Sequence, residues 1–186
     1  MANYGMAFDY KLCINCHACE VACKEENGID LGANNHRLWI DEEFDNEKDF
    51  FNLSKVKFIQ HQCQECQDAP CMKACPNDAI YRDDNGIVRL HKSKCDLTLS
   101  CMNACPYDAR YIDKKNKLTD KCIFCADTRL SRGEITTACQ ITCPAKVRIF
   151  GDLDDKNSEI SIILKRRKHF TLKKKLNTKP KLFYLE

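Results

Sequence analysis

The residues of this chain best suited to chemistry are its cysteines, fifteen in 186 positions, and they are not scattered. Cys13, Cys16, Cys19 and Cys23 follow the spacing C-x2-C-x2-C-x3-C, which in bacterial proteins wraps an iron–sulfur cube. Cys63, Cys66, Cys71 and Cys75 form a second group with Pro76 after it. Cys95, Cys101 and Cys105 form a third, followed by Pro106, and Cys122, Cys125, Cys139 and Cys143 a fourth, followed by Pro144. In two-cluster proteins the fourth thiol of such a run ligates the neighbouring cluster, so the groups must cooperate in pairs. Spacing alone leaves sequential and nested pairing open.

Two other chemistries use crowded thiols. A disulfide framework needs partners held apart at a fixed geometry, whereas nearly all of these cysteines lie two to five residues from another, too close for native pairs. Zinc also takes four thiolates, but a zinc knuckle wants two separated pairs, not four thiols within the eleven residues Cys13–Cys23. Iron and sulfide fit better. The third group is one ligand short, because Thr98 stands where the second thiol belongs. A hydroxyl is a poor, hard donor for iron in a sulfide cage, so the expectation is three 4Fe-4S clusters and one 3Fe-4S cluster, the alternative being four 4Fe-4S clusters. Asp96 is a candidate rescuing carboxylate, but it sits two residues early.

A bound cluster of this type accepts and releases one electron, at potentials from about −700 to +450 mV. Four in so short a chain must lie close together and form a relay. For one electron about 59 mV is a tenfold change in equilibrium, so modest local tuning biases the flow. Lys11, Lys94 and Lys121 flank the cysteine loops, either as solvated residues or as charges that favour the reduced form. No catalytic constellation accompanies the thiols. His17, His36, His61, His91 and His169 have no spacing relation to a nucleophile or to paired carboxylates, and with six glycines the chain has no phosphate or dinucleotide motif. The net charge of +3 is too small alone to imply nucleic acid. No run reaches eighteen apolar residues, so no direct membrane span is expected, and MANYGMAFDYKL before Cys13 lacks the basic start and apolar core of a signal peptide.

The elements that must position the thiols can be read in order. Tyr4–Tyr10 reads as a strand leading into the first loop, and His17–Glu26 as the helix carrying Cys19 and Cys23. Residues 28–60 interrupt the pattern with two strand-like runs, His36–Trp39 and Lys55–Ile59, around the acidic turn DNEKD, an inserted hairpin in which Trp39 packs. Ala79–Arg82 and Gly86–Leu90 form a hairpin on the turn DDNG. Ala126–Arg132 makes a helical turn stopped by Gly133. VRIFGDLDD is a closing strand and turn, and Ser158 opens the helix EISIILKRRK with Glu159 in its first turn. The fold class is α+β, with two bacterial-ferredoxin-like modules, an inserted β-hairpin and an extended C-terminal tail. From Lys156 onward there are ten Lys and Arg against Glu159 and Glu186. This tail is either a solvated surface or a docking element for acidic partner or lipid surfaces, and LFYLE could add a strand to a partner.

The order of the four groups, the segments CPYDARYI and KCIFCADTRL, RIFGDLDD after the last Cys-Pro, and the ending TKPKLFYLE resemble the electron-transfer (beta) subunits of polysulfide and thiosulfate reductases in the dimethyl-sulfoxide-reductase family. The likeness spans nearly the whole chain, and it implies a non-catalytic subunit held between a molybdopterin catalytic subunit and a quinone-linked integral-membrane anchor. It implies nested pairing: Cys13, Cys16 and Cys19 with Cys143; Cys122, Cys125 and Cys139 with Cys23; Cys63, Cys66 and Cys71 with Cys105; and Cys95 and Cys101 with Cys75. The modules are then 1–27 with 115–155 and 61–114, separated by the hairpin 28–60 and followed by the tail 156–186. Co-export with the catalytic subunit would place the complex on the periplasmic side of the membrane, the cytoplasmic side being the alternative. A ferredoxin-like carrier or subunit serving a formate dehydrogenase or hydrogenase is the competing function, although a free carrier needs neither hairpin nor tail.

Overall fold

The computed structural model describes residues 2–32, 34–48 and 54–186. Strand β1 (Tyr4–Phe8) leads into the first cysteine loop. Helix α1 (Ala18–Asn27) places Cys19 and Cys23 on one buried face, as an i, i+4 pair must lie. It ends at Gly28, whose φ of 59° closes the last turn. Strands β2 (Leu38–Lys48) and β3 (Ser54–Gln62) pair antiparallel, with Trp39 opposite His61. They are longer than the sequence suggested. The expected acidic turn is strand as far as Lys48, while Asp49 lies outside the described residues. Trp39 packs as anticipated, its ring stacked on His61 at 5.3 Å.

Short helix α2 (Pro70–Lys73) precedes the hairpin β4 (Ile80–Arg82) and β5 (Val88–Leu90). Its turn is held by Asp83, whose Oδ1 accepts the N–H groups of Asn85 and Ile87 at 3.0 and 2.9 Å. The pattern recurs in α3 (Ser100–Asn103) and the hairpin β6 (Tyr111–Asp113) and β7 (Leu118–Asp120), the second hairpin having gone unread in the sequence. Helix α4 (Ala138–Ile141) serves the fourth group. Each of α1 to α4 carries at its second position the cysteine at the third ligand place of its group, Thr98 holding the second place in the third group: Cys19, Cys71, Cys101 and Cys139. A proline after the fourth cysteine cannot donate to a continuing helix, and α2, α3 and α4 stop at four residues. Lys24 replaces that proline in the first group, and α1 runs to ten.

Strand β8 (Arg148–Asp152), helix α5 (Glu159–Arg166), and strands β9 (His169–Phe170) and β10 (Leu182–Leu185) complete the chain. Ser158 caps α5, its Oγ accepting the Ser161 N–H at 3.2 Å. The principal sheet has the order β8-β1-β10-β9. β10 lies parallel to β1, Met6 opposite Leu182, and antiparallel to β9. The C-terminal strand foreseen as an offer to a partner therefore pairs within the chain's own sheet. Tyr4, Met6 and Phe8 face a core containing Cys19, Cys23, Cys122, Cys139 and Tyr184, while Ala7, Ile149 and Leu185 meet Ile160 of α5 on the other face. Gly5 is required here, since a Cβ would stand 2.8 Å from the Lys181 carbonyl oxygen. A second, smaller core gathers Ile80, Val88, Tyr107 and Ala109 around Cys66 and Cys101. The chain is thus α+β, built of short helices and small sheets.

Candidate metal centres

Each cysteine loop bends through the left-handed region two residues after its first thiol. The residues there are Asn15, Glu65, Leu97 and Phe124, with φ of 54°, 45°, 59° and 53°. Side chains rarely adopt this conformation. It turns successive N–H groups inward and makes the concave nest that binds anions, Fe–S centres included. The N–H of Glu65 points at Cys63 Sγ, 3.5 Å away, and the backbone of Asn15 and of Phe124 likewise serves Cys13 and Cys122. A second left-handed residue stands three places after each Cys-Pro cysteine, at Asp78, Asp108 and Lys146.

Folding brings thiols from different groups together. Cys13, Cys16, Cys19 and Cys143 line one cavity, Cys23, Cys122, Cys125 and Cys139 a second, and Cys63, Cys66, Cys71 and Cys105 a third. Apolar side chains complete the walls, among them Met6, Leu38 and Phe124 in the second and Val88 and Ala109 in the third. Among the described residues no three of His, Cys, Asp or Glu converge closely enough to hold a single metal ion; the sulfurs line the walls of larger spaces. Four sulfur donors per cavity, apolar walls and inward N–H groups fit an iron–sulfur cluster. Burial raises the Cys19 and Cys66 thiols to about 11 and lifts Cys23, Cys63 and Cys122 well above their ordinary value. These five thiols, when free, are therefore protonated at neutral pH, and since the thiolate is the ligand, metal binding there must release protons.

Cys75, Cys95 and Cys101 remain. Cys75 Sγ accepts the Ala79 N–H at 3.3 Å, and Cys101 Sγ lies 3.5 Å from the Thr119 hydroxyl. Thr98 is exposed at the loop position that Cys16 holds in the first group. Asp96 is engaged locally: its Oδ1 accepts the Thr98 N–H at 3.1 Å, and hydrogen bonds from Asn77 and Thr98 hold its carboxyl below the usual range.

The charges around the thiols come from distant parts of the chain. Lys11 and Lys94 are exposed, as solvated residues would be. Lys121 is neither solvated nor uncompensated, because it forms a buried ion pair with Glu65, the two side chains being 4% and 0% exposed. Glu65 also accepts the Val88 N–H at 2.7 Å, and Lys121 reaches the Cys122 carbonyl at 2.8 Å. Burial opposes the Lys121 charge, but the Glu65 carboxylate paired with it helps to outweigh that, and its pKa is raised. Arg37 holds Asp120 through two hydrogen bonds of 2.7 and 3.0 Å. Asn27, bonded to Arg37, turns its amide toward Cys23 and Cys125 at 3.8 and 3.9 Å. Arg148 donates to Cys19 Sγ at 2.9 Å and Arg110 to Cys71 Sγ at 3.6 Å. The excursion between Cys125 and Cys139 turns at Gly133, φ 80°, as expected, and folds back on α1 through Arg129 and Glu26, 3.4 Å apart. Sequence reasoning missed Arg148 and Arg110. Their signal was an arginine five residues after Cys143 and after Cys105.

Residues 54–153 match the 4Fe-4S dicluster domain family. The chain is 40% identical over 181 residues to the B subunit of polysulfide reductase from Wolinella succinogenes, across 97% of this protein and 93% of that one. It is 42% identical over 155 residues to the thiosulfate reductase electron transfer subunit PhsB of Salmonella typhi, across 82% and 78%. The chain belongs to the iron–sulfur electron-transfer subunits of the dimethyl-sulfoxide-reductase family. Protein NrfC of Escherichia coli K12 is a further relative, 40% identical over 182 residues, across 97% of this protein and 79% of that one. As a member of these electron-transfer subunits the chain carries electrons and has no reaction of its own.

Proposed function

We propose that this subunit relays single electrons between a quinone-linked membrane anchor and a molybdopterin catalytic subunit in a respiratory reductase of the polysulfide or thiosulfate type. The observation that carries this reading is the gathering of cysteines distant in sequence into three four-thiol cavities. The nested ligand sets follow: Cys13, Cys16, Cys19 and Cys143; Cys23, Cys122, Cys125 and Cys139; Cys63, Cys66, Cys71 and Cys105. Each holds a 4Fe-4S cluster. Cys75, Cys95 and Cys101 hold a 3Fe-4S cluster, since Thr98 supplies no thiolate. When bound, these groups exchange one electron each; the chain's part is to hold them in series, exclude water and set their relative potentials.

In this reading residues 1–27 with 115–155 and residues 61–114 are two ferredoxin-like modules, and 28–60 is an insertion. The reductase names of the relatives support the partner assignment. Among the described residues no helix is long and apolar enough to cross a membrane, so the anchor subunit supplies the span. The complex sits on the periplasmic side, exported with the catalytic subunit. Anaerobic purification should yield about fifteen irons per chain, from three cubes and one three-iron centre, together with a molybdopterin protein and a multi-span membrane protein. Zinc in their place, or fewer than about twelve irons, would overturn the relay, and protease resistance in intact spheroplasts would overturn the periplasmic placement.

A further inference from the structure

Buried cations approach the thiols from several elements, and they differ in whether a carboxylate cancels them. Arg37 is matched by Asp120 and Lys121 by Glu65. Arg148 and Arg110 are 3% and 7% exposed, and among the described residues neither has a carboxylate within ion-pair distance. Arg148 donates through one nitrogen to Cys19 Sγ at 2.9 Å, stands over the Phe8 ring at 5.4 Å, and leaves its other terminal nitrogen buried without a partner. Arg110 donates to Cys71 Sγ at 3.6 Å.

The two arginines are related by the internal repeat. Each follows the last cysteine of its group by five residues, past a proline and a left-handed residue, Lys146 or Asp108. The same offset reaches Ile80 from Cys75 and Gly28 from Cys23, so each pair of cooperating groups has one such arginine. Arg148 lines the cavity of Cys13, Cys16, Cys19 and Cys143, whose thiols come from the first and fourth groups, and Arg110 that of Cys63, Cys66, Cys71 and Cys105, from the second and third. Each guanidinium therefore lies where two cooperating groups meet, bonded to a sulfur of one.

Reduction adds negative charge, and a nearby uncompensated cation, or a charged donor bonded to a ligand sulfur, favours it. We infer that Arg148 and Arg110 are potential-setting residues, each raising the potentials of the two clusters of its module and most of all that of the cluster whose thiolate it bonds. This rests on the ligand sets proposed above.

The test is anaerobic redox titration of the intact complex followed by EPR, in wild type, Arg148→Gln and Arg110→Gln. Arg148→Gln should lower the reduced-to-oxidised ratio of one cluster about tenfold at a fixed potential, a shift of about 59 mV for one electron. Its module partner should shift less and the other two not at all. Arg110→Gln should act on the other two clusters, and Arg148→Lys should move the midpoint back toward wild type. Unchanged midpoints, equal shifts in all four clusters, a Lys variant no better than Gln, or loss of a cluster in both Arg148 variants would overturn the inference. Failure of the cluster assignment itself would show separately, as zinc or fewer than about twelve irons per wild-type chain; and loss of the same cluster in Cys19→Ser and Cys143→Ser, but of a different one in Cys75→Ser, is what the nested sets require.

Discussion

In the loop from Cys13 to Cys19 the left-handed residues are Asn15 and His17, and in the loop from Cys95 to Cys101 they are Leu97 and Leu99 at the same offsets. Thr98 thus occupies the place of Cys16 on the same bent backbone. Side chains around the two loops differ further. Cys19 receives a hydrogen bond from a guanidinium, while Cys101 has a neutral hydroxyl as neighbour. The comparison teaches that the loop's path does not depend on its second thiol. A ligand can be removed there while the short helix and the cysteine at its second position keep their places.

The strongest way to break this contrast is to exchange the residues. Thr98→Cys should add one iron per chain and abolish the EPR signal that a three-iron centre gives when oxidised; Cys16→Thr should remove an iron and create a second such signal. If Thr98→Cys leaves both iron content and spectrum unchanged, the shared backbone does not imply a shared site. The lysines before the loops sharpen the contrast. Lys94, exposed before Cys95, should change stability by no more than about 0.5 kcal/mol when replaced by Met. Lys121→Met before Cys122 strands the buried Glu65 carboxylate and should cost about 3–5 kcal/mol, much of it recovered by adding Glu65→Gln. Anaerobic denaturation midpoints of the subunit would check both, and equal effects would contradict the buried pair. The smallest effect concerns the backbone alone. Leu97→Asn copies Asn15 into the third loop, and because Asn tolerates the left-handed region it should relieve about 1 kcal/mol, raising the thermal midpoint by about 2–4 °C.

Much of the site was readable because its signals are local. Cysteine spacing, the proline after three groups, the Asp83–Gly86 turn and the Ser158 cap each involve a few neighbouring residues. What went unread depends on distance. The partnership of Lys121 with Glu65 spans 56 positions and that of Arg148 with Cys19 spans 129, and neither leaves a pattern in a short window. The anchoring of the tail is long-range too. Lys173, Lys174, Lys175 and Lys179 are exposed, while Lys179 and Thr178 accept hydrogen bonds through their carbonyls from the N–H groups of Gln67 and Asp68, and Thr178 Oγ1 meets the Tyr107 hydroxyl at 2.5 Å. The second hairpin, Tyr111–Asp120, was missed because its turn KKNK lacks the Asn-Gly signal of the first.

Strand β10 lies between β1 and β9 in the principal sheet, and this imposes an order of events during synthesis. On the ribosome the first strand emerges early but waits for residues 182–185 before its parallel neighbour exists. The intervening chain, with every cysteine, has by then been translated. Pairings of such separation form slowly, so the nascent chain passes through a stage in which its thiols are made but the sheet beneath them is still open.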